Sequence, residues 1–538
     1  MTSAEWTERN RNYDFIDGET GFTLNVAGMN FTENDLGQMS AKFANAHLEM
    51  KKIEAGEIKN PDENRKVTHF TDRTAYPSSQ LFADVEKFVE DVRTGIILGS
   101  TGKKLDSVVI NGIGGSALGP QLLQFAINGP YWNELSNGKR KGYLKIYFTD
   151  NTDTSGVSDV MKAVNLKSTL VLSISKSGGT QETKNNTIAF EKIYREAGLD
   201  FTKHACAITM EGSELDKYSK SNNWLKIFPM AESIGGRTSE TSVVGHLPAA
   251  LAGVDFKSFI SGACRMDTLT RELDVKKNPS YLLAAMWHIA GNGRGDKNMV
   301  IVPYSDRLVL LSRYLQQLVM ESVGKEKDLD GNTVNQGLNV FGNKGGTDAH
   351  AFIQQLNDGK NDFFVTFIEV LKDSMDIPIT ENISMGDYLH GFKAGLANAL
   401  HSKGRQVIEM QITDVNAFNL GMIIALYERA VAFYAELIHI NAFHQPGVQS
   451  YKLASKEIIS LLIALEGKLS SIGKFKGTTQ ELAAKIGLPE QEIEVGGLLA
   501  KFAENGKKRK FPGFRISRAW DSGKGWVYSV KSNLNAGV

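Results

Sequence analysis

The sequence predicts an α/β protein: two tandem, doubly wound parallel-sheet domains flanked by helices, followed by a winged-helix-like C-terminal extension. From Leu105 onward, β-branched runs such as SVVIN and TLVLSI are each followed by a glycine-rich turn and a helical pattern. Apolar runs that alternate with helices are typical of parallel sheets covered on both faces. The same order returns with the runs NMVIVPY and FFVTFIEV. Near the C-terminus, two short helical patterns surround a Gly-Leu-Pro turn and precede the strand-like GWVYSV.

These changes of pattern divide the chain into four regions. We expect residues 1–90 to form an N-terminal helical part of the large domain, 91–254 the first (small) domain, 255–456 the second (large) domain and 457–538 the extension. Within the extension, Thr478 and Glu481 fit a capping box. The extension carries 13 Lys+Arg and 8 Asp+Glu, a net of +5, so the remainder carries −5 because the whole chain balances 61 against 61.

Composition excludes several classes of protein. At 538 residues, with 41% hydrophobic and 23% charged residues, the chain is an ordinary globular sequence. A net charge of zero disfavours a general polyanion binder. Cys206 and Cys264 are the two cysteines, too few for a disulfide framework, and neither a signal peptide nor a membrane-length apolar run is present. We therefore expect a cytoplasmic protein with no nucleic-acid partner and no membrane segment.

A loop rich in hydroxyl groups predicts a phosphate site. The segment SISKSGGTQET lies between a predicted strand and a predicted helix that starts near Thr180. Two glycines let the backbone approach a ligand, and the free N–H groups at the helix start favour an anion. A simple helix cap is the alternative, but it needs fewer hydroxyls. The candidate phosphate ligands are Ser175, Lys176, Ser177, Thr180 and Thr183.

Two further glycine loops are candidate ligand contacts. NGIGGSALGP fits a loose dinucleotide pattern, but the acid at the end of the next strand, Asp150, comes 38 residues after Gly112 instead of about 20. A small phosphorylated ligand is therefore favoured over a nucleotide. In ESIGGRTSETSVVG, Arg237 follows two glycines, so its guanidinium could neutralise a ligand held close to the backbone. A tight turn with a surface arginine is an equal alternative for that segment.

Acid–base candidates lie farther along the chain. Gln317 and Glu321 are four apart on the predicted helix LVLLSRYLQQLVMESVGK and so share one face. His350 is expected in the first turn of a helix capped by Thr347, where the helix dipole favours a neutral ring. Gln445 and Lys452 surround a Pro-Gly bend, and each alone reads as part of a solvated loop. The sequence has no metal-binding motif, so we expect no metal.

Six motifs together resemble the glucose-6-phosphate isomerase (phosphoglucose isomerase) family. They are GIGGSALGP, SKSGGTQET, GGRTSETSVVG, LQQLVMESVGK, GGTDAHAF and FHQPGVQSYK, in the family's order between about residues 105 and 455. The resemblance implies two sugar-isomerase (SIS) domains, a homodimer, and reversible conversion of glucose 6-phosphate to fructose 6-phosphate. Two departures, Thr238 in place of an aromatic residue and Asp348-Ala349 before the histidine, affect the expected sugar contacts.

The resemblance also implies a role for each candidate. Glu321 is expected to be the base of a cis-enediol mechanism, with Gln317 beside it, and His350 and Lys452 are expected to open the sugar ring. The histidine would come from the neighbouring subunit. The hydroxyl loop would hold the phosphate. No cofactor is expected, because no electrons leave the sugar during the isomerisation. Arg237 would stabilise the enediolate. The remaining expected ligand contacts are Gly114, Gly115, Ser116, Gly236 and Gln445.

Two alternatives stay open at this point. A non-enzymatic SIS-domain regulator could sense a sugar phosphate and use the helix-turn-helix pattern of the tail. A related isomerase could accept both glucose 6-phosphate and mannose 6-phosphate. An amino-sugar enzyme would normally carry an extra glutamine-using domain with an N-terminal cysteine nucleophile, and no cysteine lies near this N-terminus.

Overall fold

Residues 2–533 are described by a computed structural model; residue 1 and residues 534–538, the end of the predicted extension, lie outside the description. The chain divides into two units, one that ends at His444 and one that begins at Gln445. Among residues 2–533, none of the helices combines the length and the apolar character needed to cross a membrane.

The first unit contains both large sheets. Its strands are β1 (Asp14–Asp17), β2 (Phe22–Asn25), β3 (Ile58–Asn60), β4 (Arg65–Lys66), β5 (Ser107–Asn111), β6 (Lys145–Thr149), β7 (Thr169–Ile174), β8 (Ala205–Thr209), β9 (Lys226–Pro229), β10 (Asn298–Tyr304), β11 (Lys325–Lys327), β12 (Thr333–Gln336), β13 (Val340–Phe341), β14 (Phe363–Val370) and β15 (Gln406–Ile412). Its α-helices are α1 (Ser3–Asn12), α2 (Glu33–Gln38), α3 (Ser40–Glu54), α4 (His69–Ala75), α5 (Gln80–Thr94), α6 (Leu118–Asn128), α7 (Thr154–Ala163), α8 (Gln181–Glu196), α9 (Glu214–Ser221), α10 (Val243–Leu251), α11 (Phe256–Leu269), α12 (Pro279–Ala290), α13 (Leu311–Leu315), α14 (Ile353–Asp358), α15 (Met385–Ser402) and α16 (Ala417–Leu437).

The smaller sheet is fully parallel, with strand order β6-β5-β7-β8-β9. Successive side chains of β5 point to opposite faces, as the period of a strand requires. Val108 and Ile110 pack with Leu247 of α10, while Val109 packs on the other face with Phe190 of α8. Helices therefore cover both faces, which confirms the predicted α/β class with parallel sheets.

The larger sheet is mixed, with strand order β1-β2-β15-β14-β10-β13. Strands β15, β14, β10 and β13 are parallel, and Met299 and Val300 of β10 again belong to cores on opposite faces. The segment expected to be helical, residues 1–90, also contributes the hairpin β1–β2, in which β2 pairs antiparallel with β15. Asp17 accepts hydrogen bonds from Arg265 of α11, which ties this hairpin to the helices.

The second unit consists of α17 (Pro446–Ser471), β16 (Lys474–Gly477), α18 (Thr479–Lys485), α19 (Glu492–Arg509), β17 (Phe514–Asp521) and β18 (Gly525–Ser532). The three strands form an antiparallel sheet in the order β16-β18-β17. Thr478 and Glu481 form the predicted capping box at the start of α18. Leu465, Leu499 and Phe502 lie in a separate apolar core of this unit. The winged-helix likeness stays a prediction, as do the four regional boundaries.

Candidate active site

Two glycine loops of the first unit touch through their backbones. Gly114–Ser116 follows β5 as a short 3-10 turn, and Gly236–Thr238 forms a second such turn before α10. A Cβ atom added to Gly115 would lie 1.8 Å from the carbonyl oxygen of Gly236, so only glycine permits this approach. A Cβ on Gly114 would lie 2.9 Å from Nε2 of Gln317. The two predicted sugar loops and the predicted acid–base helix therefore meet at one place.

Glu321 lies at the end of a π-helical turn. The sequence predicted one long α-helix over this segment, but the α-helix Leu311–Leu315 passes into a π-helix over Gln316–Glu321. A π-turn inserts one residue, and such turns are frequent at functional sites. Nε2 of Gln317 nevertheless donates a hydrogen bond to Oε2 of Glu321 at 3.2 Å, so the two side chains share one face as predicted.

Arg237 connects the glycine loop to Glu321. Its Nη1 lies 3.3 Å from Oε2 of Glu321, and its Nε donates to Oγ of Ser322 at 2.7 Å. Nη2 donates to the backbone carbonyls of Ala442 and His444, the second at 3.0 Å. The residue is only 6% exposed, so the alternative of a tight turn with a surface arginine is wrong. Burial lowers the pKa of the guanidinium, and the nearby Glu321 carboxylate opposes that effect.

The hydroxyl loop has the predicted position at the start of α8. Thr180 is the N-cap residue of α8 but makes no side-chain cap hydrogen bond. Oγ of Ser175 donates to Oγ1 of Thr180 at 3.2 Å, and the amide of Gly179 donates to Oγ of Ser177 at 3.2 Å. Ser175 and Thr183 are buried, whereas Ser177 is exposed. The loop thus joins hydroxyl groups to a helix start that the Thr180 side chain does not cap, an arrangement suited to phosphate.

Lys176 joins this loop to the loop that carries Arg237. Its Nζ donates to the carbonyl oxygens of Glu232 and Ile234, the second at 2.9 Å. Burial, with the nearby charge of Arg65, lowers the pKa of Lys176 to about 8. The ammonium group was expected to add charge to the phosphate site. In the structure, its hydrogen bonds also connect the two loops.

His350 does not have the local structure that the sequence predicted. Thr347–His350 form a 3-10 turn whose N-cap is Gly346, with no side-chain cap, and α14 begins only at Ile353. The predicted Thr347 cap and the first-turn position of His350 are therefore wrong. The reason is Asp348, whose buried carboxylate accepts hydrogen bonds from the amides of Asn343 and Lys344 and so tightens the loop.

His350 is exposed, and Glu321 is not among the described residues that line its cleft. The cleft has a volume of about 620 Å³ and is lined by His350 together with Tyr304, Thr347 and Phe392. Among the described residues, no other predicted site residue lines this cleft. Gln445 and Lys452 belong to the second unit, where Gln445 precedes α17 and Lys452 is half-buried within it.

Two residues beside Glu321 were missed by the sequence interpretation. Ser322 accepts the hydrogen bond from Arg237, and Lys325, which is buried, donates from Nζ to the backbone carbonyl of Glu321 at 2.6 Å. Both lie within the motif LQQLVMESVGK, so their spacing from Glu321 was the available signal. In the described part of the chain, no three His, Cys, Asp or Glu side chains cluster closely enough to hold a metal ion.

Comparison with known proteins agrees with this arrangement. The family model described as phosphoglucose isomerase matches residues 32–402. A glucose-6-phosphate isomerase from Geobacter sulfurreducens is 44% identical over 522 residues, covering 94% of this chain and 96% of the relative. One from Nostoc sp. is 44% identical over 506 residues, covering 92% of this chain and 94% of the relative.

A solved structure supports the same assignment. The crystal structure of a glucose-6-phosphate isomerase from Chlamydia trachomatis aligns with a TM-score of 0.75 at 26% sequence identity, covering 84% of this chain and 91% of that chain. A family match over more than half of the chain and full-length relatives at this level of identity lead to one conclusion. The chain belongs to the phosphoglucose isomerase family of enzymes.

Proposed function

We propose that this protein interconverts glucose 6-phosphate and fructose 6-phosphate through a cis-enediol intermediate. The observation that carries the proposal is the contact between Oε2 of Glu321 and Nη1 of Arg237 at 3.3 Å, beside two touching glycine loops. Aldose–ketose isomerisation needs one carboxylate to move a proton between C1 and C2 and a fixed positive charge to stabilise the enediolate. Glu321 supplies the first and Arg237 the second.

The phosphate of the substrate is assigned to the hydroxyl loop. Ser175, Ser177, Thr180 and Thr183, with the start of α8, offer hydroxyl and amide donors to a dianion. Lys176 fastens this loop to the segment before Gly236, so phosphate binding and the position of Arg237 share one support. Binding energy gained at the phosphate can then fix the sugar for proton transfer at C1 and C2.

His350 and Lys452 are assigned to ring opening, with His350 acting in the site of a second copy. Its exposure supports that assignment, as does a cleft whose described lining residues do not include Glu321. The same cleft includes Phe392, which is 59% exposed, and the nearby segment leaves Met375 71% and Met385 53% exposed. Association with another protein surface would remove such exposed apolar side chains from water. We therefore propose a homodimer in which each subunit completes the other's site.

The test is a coupled assay on the full chain. Fructose 6-phosphate is supplied, and the glucose 6-phosphate formed is oxidised by added glucose-6-phosphate dehydrogenase, which makes NADPH. We expect turnover by the native protein and a loss of at least about 1,000-fold in Glu321→Gln with fructose 6-phosphate still bound. The matched control is Glu326→Gln, an exposed carboxylate five residues farther along.

Exchange of the C2 hydrogen of glucose 6-phosphate with solvent separates the proposed role from a general defect. Near-native exchange in Glu321→Gln would contradict its role as the base, and an inactive native protein would contradict the proposed function itself. Comparing kcat/KM for glucose 6-phosphate and mannose 6-phosphate then measures the specificity that the motifs leave open.

A further inference from the structure

Lys325 is a buried cation that is hydrogen-bonded to the backbone of Glu321, the proposed base. It lies at the start of β11 and is 4% exposed. Its Nζ donates a hydrogen bond of 2.6 Å to the backbone carbonyl of Glu321. Its neighbour two positions on, Lys327, is exposed. The pair therefore offers one buried and one exposed lysine on the same short strand.

The contact has a local cause. The helical segment that contains Glu321 ends at Val323, and Lys325 has already entered an extended strand. The Glu321 carbonyl consequently lacks the amide partner that a continuing α-helix would provide. A cation near the end of a helix both satisfies such a carbonyl and complements the negative end of the helix dipole. The side chain of Lys325 folds back to fill this place.

The contact also changes the charge around the site. Arg237 is buried beside the same glutamate, so two buried cations, Arg237 and Lys325, accompany one carboxylate. Taking an ammonium group out of water is costly, and a carbonyl alone returns little of that cost. The arrangement leaves a local excess of positive charge in a region where water screens it poorly. Such an excess favours negative charge that develops on a bound ligand.

We propose that Lys325 is a positioning residue: it fixes the backbone of Glu321 at the end of the π-turn and, with Arg237, adds the positive field that the enediolate requires. This inference rests on the isomerase function proposed above and concerns the same site. Lys325 acts through Glu321 and through its charge, so no direct contact with the sugar is needed.

The surroundings of Lys325 predict how its charge responds to pH. Burial, followed by the charge of Arg237, lowers the pKa of Lys325 to about 7, and Glu321 opposes this effect. The third titratable group that faces it is His444, whose pKa is lowered by burial and then by Lys325, and whose Nε2 lies 3.6 Å from Asp62. The ammonium form is therefore present in mildly acidic solution and is lost as the solution becomes alkaline.

The experiment compares Lys325→Met, Lys325→Arg and the exposed control Lys327→Met in the full chain. Initial rates with fructose 6-phosphate give kcat and KM from about pH 6 to about pH 9. Binding is measured for the five-carbon aldonic acid 5-phosphate, whose carboxylate imitates the enediolate. We expect Lys325→Met to lower kcat about 10- to 100-fold, with KM changed less than about threefold and analogue affinity reduced in parallel with kcat. Lys325→Arg should recover most of kcat and retain it to higher pH, because arginine stays charged.

Several outcomes would overturn the inference. Native kcat in Lys325→Met would do so, and so would a lower kcat with unchanged analogue affinity, which a merely structural role would produce. If Lys325→Met does not fold, the test rests on Lys325→Arg. A native kcat in that variant, with the alkaline limb of its pH–kcat profile at the native position, would also contradict the proposal. A native protein without isomerase activity is a separate result, because it overturns the proposed function before any variant is compared.

Discussion

Nη1 of Arg237 and Oε2 of Glu321 lie 3.3 Å apart, and separate partners hold each side chain. Ser322 accepts from Nε of Arg237 at 2.7 Å, and Gln317 donates to Glu321 at 3.2 Å. The proposed base is thus held beside the cation that is proposed to neutralise the enediolate. Because protein groups hold both side chains in place, the proposed reaction needs little reorganisation.

Replacing Arg237 by lysine should slow turnover strongly. One ammonium group cannot reach Glu321, Ser322 and the His444 carbonyl together, as the planar guanidinium does. We expect Arg237→Lys to lower kcat by about 100-fold in steady-state assays. Arg313→Lys, which alters an exposed ion pair with Asp150, is the matched control and should stay near the native value. A kcat within twofold of native for Arg237→Lys would show that a single charge at this place is enough.

Removing the Lys176 ammonium should impair more than phosphate binding. A lysine that only contacted phosphate would affect KM, but this one also supports the carbonyls of Glu232 and Ile234 next to the Arg237 loop. We expect Lys176→Met to raise KM about tenfold and to lower kcat at the same time. Lys184→Met, an exposed lysine on α8, serves as the control. An increase in KM with native kcat would limit Lys176 to the phosphate.

The buried Lys325 predicts a difference in stability that depends on pH. Its pKa is about 7 in the folded chain against 10.5 as the ordinary value, so between these values the unfolded chain binds more of this proton. Folding stability owed to Lys325 must then rise with pH across that window and be smallest at and below pH 7. We expect the Tm of the native protein minus that of Lys325→Met to increase from neutral to alkaline solution. A constant or falling difference would contradict the lowered pKa.

Mixed dimers can reveal whether His350 serves the neighbouring site. Glu321→Gln and His350→Ala should each be nearly inactive alone. If the histidine acts in the partner's site, random exchange of subunits gives half mixed dimers with one complete site each, so activity recovers to about a quarter of native. If both residues act within one chain, mixing restores nothing. The measurement is the coupled assay after subunit exchange, with unmixed variants as controls.

Much of the fold followed from the sequence because local patterns determine it. The apolar runs at Ser107–Asn111 and Thr169–Ile174 became adjacent parallel strands, and the loop after the second became the start of α8. The hairpin β1–β2 was missed because its strands are short and gain their place by pairing with β15, far along the chain.

The errors at the site arose from contacts that periodicity does not encode. Both an α-helix and a π-turn bring Gln317 close to Glu321, so their spacing could not distinguish the two. The turn before His350 depends on the side chain of Asp348, which replaces the expected cap by Thr347. The carbonyl partners of Lys176 are 56 and 58 residues away in the sequence. The connection that it makes between the two loops could therefore be recognised only in the tertiary structure.

The contact between Gly115 and the Gly236 carbonyl limits how this enzyme can be altered. Even a methyl group at position 115 would fall 1.8 Å from that oxygen, which would force the two loops apart and move Arg237 with them. By contrast, nothing lies within 4 Å of a Cβ placed on Gly236. Mutant libraries aimed at new sugars should therefore keep position 115 invariant and place their diversity at position 236, where an added side chain meets open space.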